Sequence, residues 1–156
     1  MIKFVLFFLF FPLFSFSQLK GKVIKITDGD TFVLLTGNKE QIKIRLHGID
    51  APEKKQDYGT VSKNYLSNLV FKKDITIEFK NRDRYGRSIG IAFVEGVNVN
   101  EKMLAEGMAW HFKKYDTNSQ WSALEIKAKE EKKGLWSQSN PVAPWEWRVR
   151  KKRHAL

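Results

Sequence analysis

Residues 20–26 interleave Lys20, Lys22 and Lys25 with Val23, Ile24 and Ile26, and this near-alternation predicts a β-strand. Asp28-Gly29-Asp30-Thr31 follows with turn chemistry, and residues 32–35 form a second strand. Thr36-Gly37-Asn38-Lys39 signals a hairpin into a third strand over 41–46. That strand puts Ile42, Ile44 and Leu46 on one face and Lys43 and Arg45 on the other, and residues 48–52 end it. The apolar period then lengthens. Val61, Tyr65, Leu66, Leu69 and Val70 recur at helical spacing, which predicts a helix over 60–70. Ile75, Ile77 and Phe79 alternate as a fourth strand, 81–87 is a turn, and 89–94 is a fifth strand. Asn98 followed by Glu101 resembles a capping box, and Gly107 ends that helix. A third helix starts at Asn118 or Ser119, turns Trp121, Leu124 and Ala128 to one side, and has Gly134 as its C′ residue. Short strands joined by hairpin turns, with helices between them, predict an α+β, mainly β fold: a small barrel with helices packed on it.

The two ends have a different texture. Lys3, an apolar run over 4–14 broken by Pro12, and Ser15-Phe16-Ser17 match a signal peptide over 1–17, which implies an exported chain starting at Gln18, with an uncleaved membrane anchor as the alternative. Periplasm, cell surface and medium are all open as its destination. After 137, Ser, Asn and Pro dominate; then come Pro144-Trp145-Glu146-Trp147 and the cations Arg148, Arg150, Lys151, Lys152 and Arg153. Residues 138–156 read as an arm that packs partly through its Trp side chains and ends in a basic tail. Deleting the tail from Arg148 onward is expected to weaken binding to long polyanions and to leave turnover nearly intact. The domain proper spans 18–137.

Composition narrows the chemistry. Among 156 residues, 28 Lys and Arg against 17 Asp and Glu give a formal net charge of +11, which suits a polyanionic partner. The absence of Cys excludes a disulfide scaffold, a thiolate metal site and a Cys nucleophile. Three His do not make a His-rich zinc site; His47 and His111 read as structural or solvent-exposed, and His154 as tail. Carboxylates recur beside turn residues: Asp28 and Asp30 flank Gly29, and Asp50 and Glu53 flank Ala51-Pro52. An all-oxygen set of this kind suits a hard cation, Ca²⁺ or Mg²⁺. Arg45 lies on the strand leading into Asp50, and Arg87 ends Asp83-Arg84-Tyr85-Gly86-Arg87. Arg grips phosphate bidentately, and a pair can stabilise the extra charge of an attacked phosphodiester. Taken singly, each of these features is also an ordinary turn or a solvated strand face.

Together they carry a resemblance. Ile26-Thr27-Asp28-Gly29-Asp30-Thr31, Arg45-Leu46-His47-Gly48-Ile49-Asp50-Ala51-Pro52-Glu53 and Asp83-Arg84-Tyr85-Gly86-Arg87 resemble the staphylococcal nuclease family in order and spacing. So do Val97-Asn98-Val99-Asn100-Glu101 with Leu104, Gly107 and Ala109, and Glu125, Ala128, Lys129, Gly134, Leu135 and Trp136. The resemblance covers roughly 20–137. It implies a five-stranded OB-fold barrel with three helices, and a Ca²⁺-dependent phosphodiesterase that cuts DNA and RNA to leave 3′-phosphates. By position, Asp30 and Asp50 resemble the direct metal ligands, the Ala51 carbonyl the backbone ligand, and Asp28 a ligand acting through water. Glu53 resembles the residue that activates the attacking water, and Arg45 and Arg87 the pair that clamps the scissile phosphate. Arg84, Tyr85 and Tyr115 resemble substrate contacts. Lys113 stands where a second pocket tyrosine would be, with Phe112 and Trp110 as nearby aromatic substitutes. The loop over 54–58 is shorter than the prototype's, and the segment after 137 lies outside its pattern.

The implied partner is DNA and/or RNA, with the protein a monomer that needs no stable protein partner. The main alternative is a catalytically silent nucleic-acid-binding OB-fold module. Glu78-Phe79-Lys80 also offers a crude restriction-type E-x-K, but on an alternating strand it reads as the solvated face.

Overall fold

Strand β1 (Gln18–Asp28) is long enough to belong to both sides of a barrel. Its first residues pair antiparallel with β5 (Asp74–Arg82), and from Gly21 onward it pairs antiparallel with β2 (Thr31–Thr36). Register shifts at Val23/Lys25 and Ile26/Asp28 bend the strand around the corner, as bulges do. Strand β3 (Gln41–Leu46) pairs with β2, and β6 (Ser88–Val94) pairs with β5. A parallel pairing of β3 with β6, from Ile44↔Ser88 to Leu46↔Gly90, closes the ring. The result is the expected five-stranded barrel, described over residues 18–153 of a computed structural model. The expected signal peptide over 1–17 and His154 lie outside the described residues. Closure leaves the five strands without free edges. Val23, Phe32, Leu34, Ile44, Leu46, Ile77 and Ala92 fill the interior from the inward positions that the alternation assigns.

The remaining elements are short. Strand β4 (Ile49–Asp50) pairs with β8 (Trp110–His111), and β7 (Val97–Asn98) extends β6. Helix α1 (Gly59–Val70) buries Leu66 and Val70 against the barrel. Helix α2 (Val99–Ala105) is capped by Asn98, which accepts the Glu101 N–H at 3.2 Å. Only that half of the capping box forms. The Glu101 carboxylate instead accepts from the Trp121 indole at 3.1 Å and ties α2 to α3 (Ser119–Glu130). Asp116 bonds both His47 (3.2 Å) and His111 (2.9 Å), and both imidazoles pack on Trp121. Helix α3 gives way through Lys132 at φ 51°, so Gly134 opens a 3₁₀ turn, Gly134–Ser137, and is not the C′ residue.

A fourth helix departs from the expected three. Residues 144–153, read from sequence as arm and tail, form α4 (Pro144–Arg153). Its composition explains this. Pro144 occupies the first helical position, where its missing N–H costs nothing; Glu146 lies in the first turn; Arg150, Lys151, Lys152 and Arg153 fill the last.

Candidate active site

The site forms where the β1–β2 turn meets the end of β3 and the loop after β4. Asp28 ends β1, and its Oδ1 accepts the Asp30 N–H at 3.3 Å, an Asx turn. Gly29 sits between them because a Cβ there would lie 2.1 Å from Ser62 Oγ of α1 and 2.7 Å from the Ala51 Cβ. The turn is thereby pressed against both neighbours. Asp30 accepts the Thr31 hydroxyl at 2.9 Å and, through its other oxygen, the Ala51 N–H at 2.8 Å, which fixes the turn to the β4 loop.

Arg45 projects between the two acidic loops. Its guanidinium pairs with Asp30 Oδ2 and donates to Asp50 Oδ1 at 2.8 Å, with all three side chains largely buried. Asp50 is positioned by the β4–β8 pairing, opposite Trp110. Glu53 lies at the rim with its side chain 42% exposed. The Gln56 side chain holds that loop. Its Oε1 accepts the Glu53 N–H at 3.1 Å, and its Nε2 donates to the Val142 carbonyl at 2.5 Å. Gly59 closes the loop, because a Cβ there would lie 2.0 Å from the Glu53 carbonyl oxygen.

The structure adds a residue that the sequence reading left in the tail. Arg148 of α4 donates to Asp50 Oδ2 at 2.7 Å and Oδ1 at 3.3 Å, and to Glu53 Oε1 at 2.8 Å. Helix α4 is held there by a row of aromatic rings. Tyr115 meets Phe112 edge-on at 4.9 Å, Phe112 stacks flat on Trp145 at 5.0 Å and 4°, Trp145 meets Trp110 at 5.6 Å, and Trp110 meets Trp136 at 4.4 Å. The Lys129 ammonium lies over the Trp136 ring at 4.4 Å. Phe112 and Trp110, considered from sequence as faces for a base, are therefore engaged by the arm. The Pro144-Trp145-Glu146-Trp147 run signalled packing, but nothing in the sequence said which acids Arg148 would meet.

The other predicted residues form a second group on the β5–β6 turn. Asp83 accepts the Arg87 side chain at 2.7 Å and the backbone N–H groups of Tyr85 and Arg87 at 2.9 Å each. Arg84 donates to the Tyr85 hydroxyl at 2.7 Å, and the Arg84 and Arg87 guanidinium groups lie over the Tyr85 ring. Among the described residues, no hydrogen bond or ion pair joins this turn to Asp30, Asp50 or Glu53. Ser88 pairs with Ile44, however, so Arg87 leaves the barrel beside the strand that carries Arg45. Tyr85 and Tyr115 are exposed at 69% and 63%, open enough to meet a ligand. Glu78 pairs with Lys80 at 2.6 Å, as a solvated strand face would.

The carboxylates strain against one another. Burial, with the Asp30 charge beside it, pushes the Asp28 carboxyl up to about 7. Burial also raises Asp50, with Asp30 adding to the effect and Arg148 and Arg45 opposing it. Burial alone would lower Arg148, but its bonds to Asp50 and Glu53 hold it above the usual arginine range. Burial alone would raise Asp83; the Arg87 and Tyr85 bonds outweigh it and lower that group. Among the described residues, no three acidic or His side chains converge on one point, since Asp30 and Asp50 face Arg45 and Asp50 also faces Arg148. The donor chemistry still fits a hard divalent cation: Asp28, Asp30 and Asp50 offer oxygen only, and burial beside Asp30 raises Asp28 and Asp50 even with the arginines opposing it.

Comparison with known proteins bears on the family. The profile of the family described as staphylococcal nuclease homologue matches residues 43–138. An uncharacterized endonuclease of Escherichia coli O157:H7 is 42% identical over 151 residues, covering 96% of this chain and 97% of its own. A micrococcal nuclease of Shigella flexneri is 35% identical over 145 residues, covering 86% of this chain and 83% of its own. The profile stops before α4, whereas the Escherichia coli relative aligns over a share of the chain that takes in part of that helix. A profile match over more than half of the residues, with such identity along nearly the whole length of both chains, settles the family: this chain belongs to the staphylococcal nuclease family, a family of nucleases.

Proposed function

We propose that this protein is an exported, Ca²⁺-dependent phosphodiesterase that hydrolyses DNA and/or RNA and leaves 3′-phosphates. The observation that carries the reading is the buried Asp30–Arg45–Asp50 cluster with Glu53 at its open rim. Asp30, Asp50 and the Ala51 carbonyl would hold the cation directly, and Asp28 through water. When bound, the cation supplies a Lewis acid that offsets the phosphodiester's charge and favours deprotonation of water. Arg45, fixed by two carboxylates, offers guanidinium N–H groups in a constant position, and Arg87 approaches from the adjacent strand. Glu53 accepts a proton from the attacking water. The water oxygen bonds to phosphorus, the P–O5′ bond breaks, and the departing 5′-oxygen takes its proton from solvent. Arg84, Tyr85 and Tyr115 flank the path of the nucleic acid, the tyrosines offering exposed rings to bases.

We read the active form as a monomer beginning at Gln18, which intact mass and sedimentation of the exported protein check. The test of function is hydrolysis of naked DNA and RNA with Ca²⁺ and again in excess EDTA and EGTA. Cleavage in Ca²⁺, ending in 3′-phosphates and abolished by chelation, is the expected result. Full hydrolysis under chelation rejects the metal requirement, and binding without hydrolysis leaves a silent module.

A further inference from the structure

We propose that Arg148 is a third phosphate-gripping guanidinium of the site, delivered by α4 and parked on Asp50 and Glu53 until substrate arrives. The inference rests on the nuclease reading above and extends it to a helix outside the family profile.

Three observations carry it. Arg148 and Arg45 both donate to Asp50 Oδ1, at 3.3 and 2.8 Å, so the two guanidinium groups flank one oxygen and can reach one anion together. Arg148 already uses its fork on oxygen pairs, bidentate to Asp50 and bridging to Glu53; a phosphate presents oxygens at similar spacing. Its approach is also fixed. Ala143 is 3% exposed, Val142 is tied to Gln56, and Trp145 lies flat on Phe112. A dangling basic tail would carry none of these anchors.

The pairing has a consequence for order of events. Every oxygen of Asp50 is taken by an arginine in this state, so a cation binding Asp50 competes with Arg148. Displaced from Asp50 and Glu53, the guanidinium remains on a short, anchored helix beside the place where the phosphate must sit. Glu53 is freed at the same moment to face water. Arg148 therefore opposes cation binding in the free protein and assists the phosphate in the complex.

Opposite signs make the test sharp. Arg148→Gln and Arg148→Lys are compared with the full-length wild type, with circular dichroism and thermal unfolding confirming the fold of each. Calorimetric titration with Ca²⁺ alone should show about threefold or greater tightening for Arg148→Gln, because a competing charge has left Asp50. At saturating Ca²⁺, kcat on single-stranded DNA should fall by about 30-fold or more for Arg148→Gln, on the scale of removing one oriented donor. Arg148→Lys keeps the charge but not the fork, and should recover only part of kcat. In a Glu53→Gln background with Ca²⁺, a labelled single-stranded 12-mer should bind about fivefold or more weakly once Arg148 is also replaced.

Tighter Ca²⁺ binding with unchanged kcat and unchanged 12-mer affinity would overturn the proposal and leave only a competing ion pair. Unchanged Ca²⁺ affinity, kcat and 12-mer affinity would overturn it entirely. A wild-type protein that does not hydrolyse nucleic acid rejects the nuclease reading instead; the 12-mer comparison then decides by itself whether Arg148 grips phosphate.

Discussion

Asp50 accepts from two arginines and carries one charge, so what happens at this residue depends on what replaces them. Its neighbour Glu53 pairs with only one and faces solvent. Glu53→Gln keeps the size and most of the hydrogen bonding but cannot take a proton, and should lower kcat by at least about tenfold at saturating Ca²⁺ and substrate. Glu78→Gln, which breaks a surface pair with Lys80, should stay within about twofold. A dead Glu78→Gln beside a normal Glu53→Gln would move the site to the other strand. Asp28 gives a second prediction. Its carboxyl is raised from 3.8 to about 7, so between those values the folded state holds a proton that the unfolded chain releases. Its contribution to stability is fully present below pH 3.8 and is lost as pH rises through about 7. In EDTA, Asp28→Asn should therefore be more stable than wild type at pH 8, by on the order of 2–4 kcal/mol, and indistinguishable from it near pH 4. Urea unfolding at the two pH values reads the difference directly. An equal gain at both would assign the effect to something other than titration.

At the level of elements, the site is assembled by short pieces that have little stability alone. Strand β4 is held by two pairings with β8, and α4 is seated on the domain by the rings of Trp145. Trp145 is central, since it touches both Phe112 and Trp110. Trp145→Ala should cost about 1–3 kcal/mol, less than a fully buried Trp because the side chain is half-buried. It should also lower kcat in the same direction as Arg148→Gln, because the helix that carries Arg148 loses its seat. Denaturant midpoints and limited proteolysis after residue 140 check it, and an unchanged midpoint would show that the stack does not hold the helix. If Arg148 acts as proposed, removing the segment from Arg148 onward should lower turnover, whereas the sequence-based expectation is that turnover stays nearly intact; the cut takes away the bonds to Asp50 and Glu53, and kcat of the truncated protein decides between the two.

Over the whole molecule, the excess of 28 basic over 17 acidic residues has two parts with different roles. Arg45 and Arg148 are engaged with the carboxylates of the candidate site, whereas Arg150, Lys151, Lys152 and Arg153 lie exposed at the end of α4, with Arg150 only in a surface pair with Glu146 at 3.7 Å. Changing those four to Gln should leave kcat near wild type and weaken capture of long single strands at low salt. The slope of log affinity against log salt should become shallower by about 0.7 for each phosphate that is no longer neutralised. An unchanged slope would place the nucleic acid elsewhere. Arg148→Gln should differ in kind, with a large loss in kcat and a slope shallower by only one phosphate's share, about 0.7, so the two sets separate chemistry from attraction along one helix.

What was legible in the sequence is what local chemistry repeats. Alternation over 41–46 and 75–79 marked β3 and β5, and helical spacing over 61–70 marked α1, because backbone geometry ties side-chain period to element type. Acids beside Gly29 and Pro52, with Arg45 on the intervening strand, were readable because turns and strand ends advertise themselves in residue type, and the structure brings Asp30, Arg45 and Asp50 into one cluster. Only tertiary structure decided the rest. The parallel β3–β6 closure joins residues about 45 positions apart and leaves no periodic mark. Lone pairings such as Glu101 with Trp121, or Gln56 with Val142, are chosen by packing between elements. Arg148 is the extreme case: its neighbours in sequence are Trp147 and Val149, its partners lie 98 and 95 positions away, and a row of aromatic rings brings them together. An ion pair at that separation depends on the closed fold and not on any local pattern, so the sequence determined that this segment was basic and aromatic, and the fold determined that its first arginine meets Asp50 and Glu53.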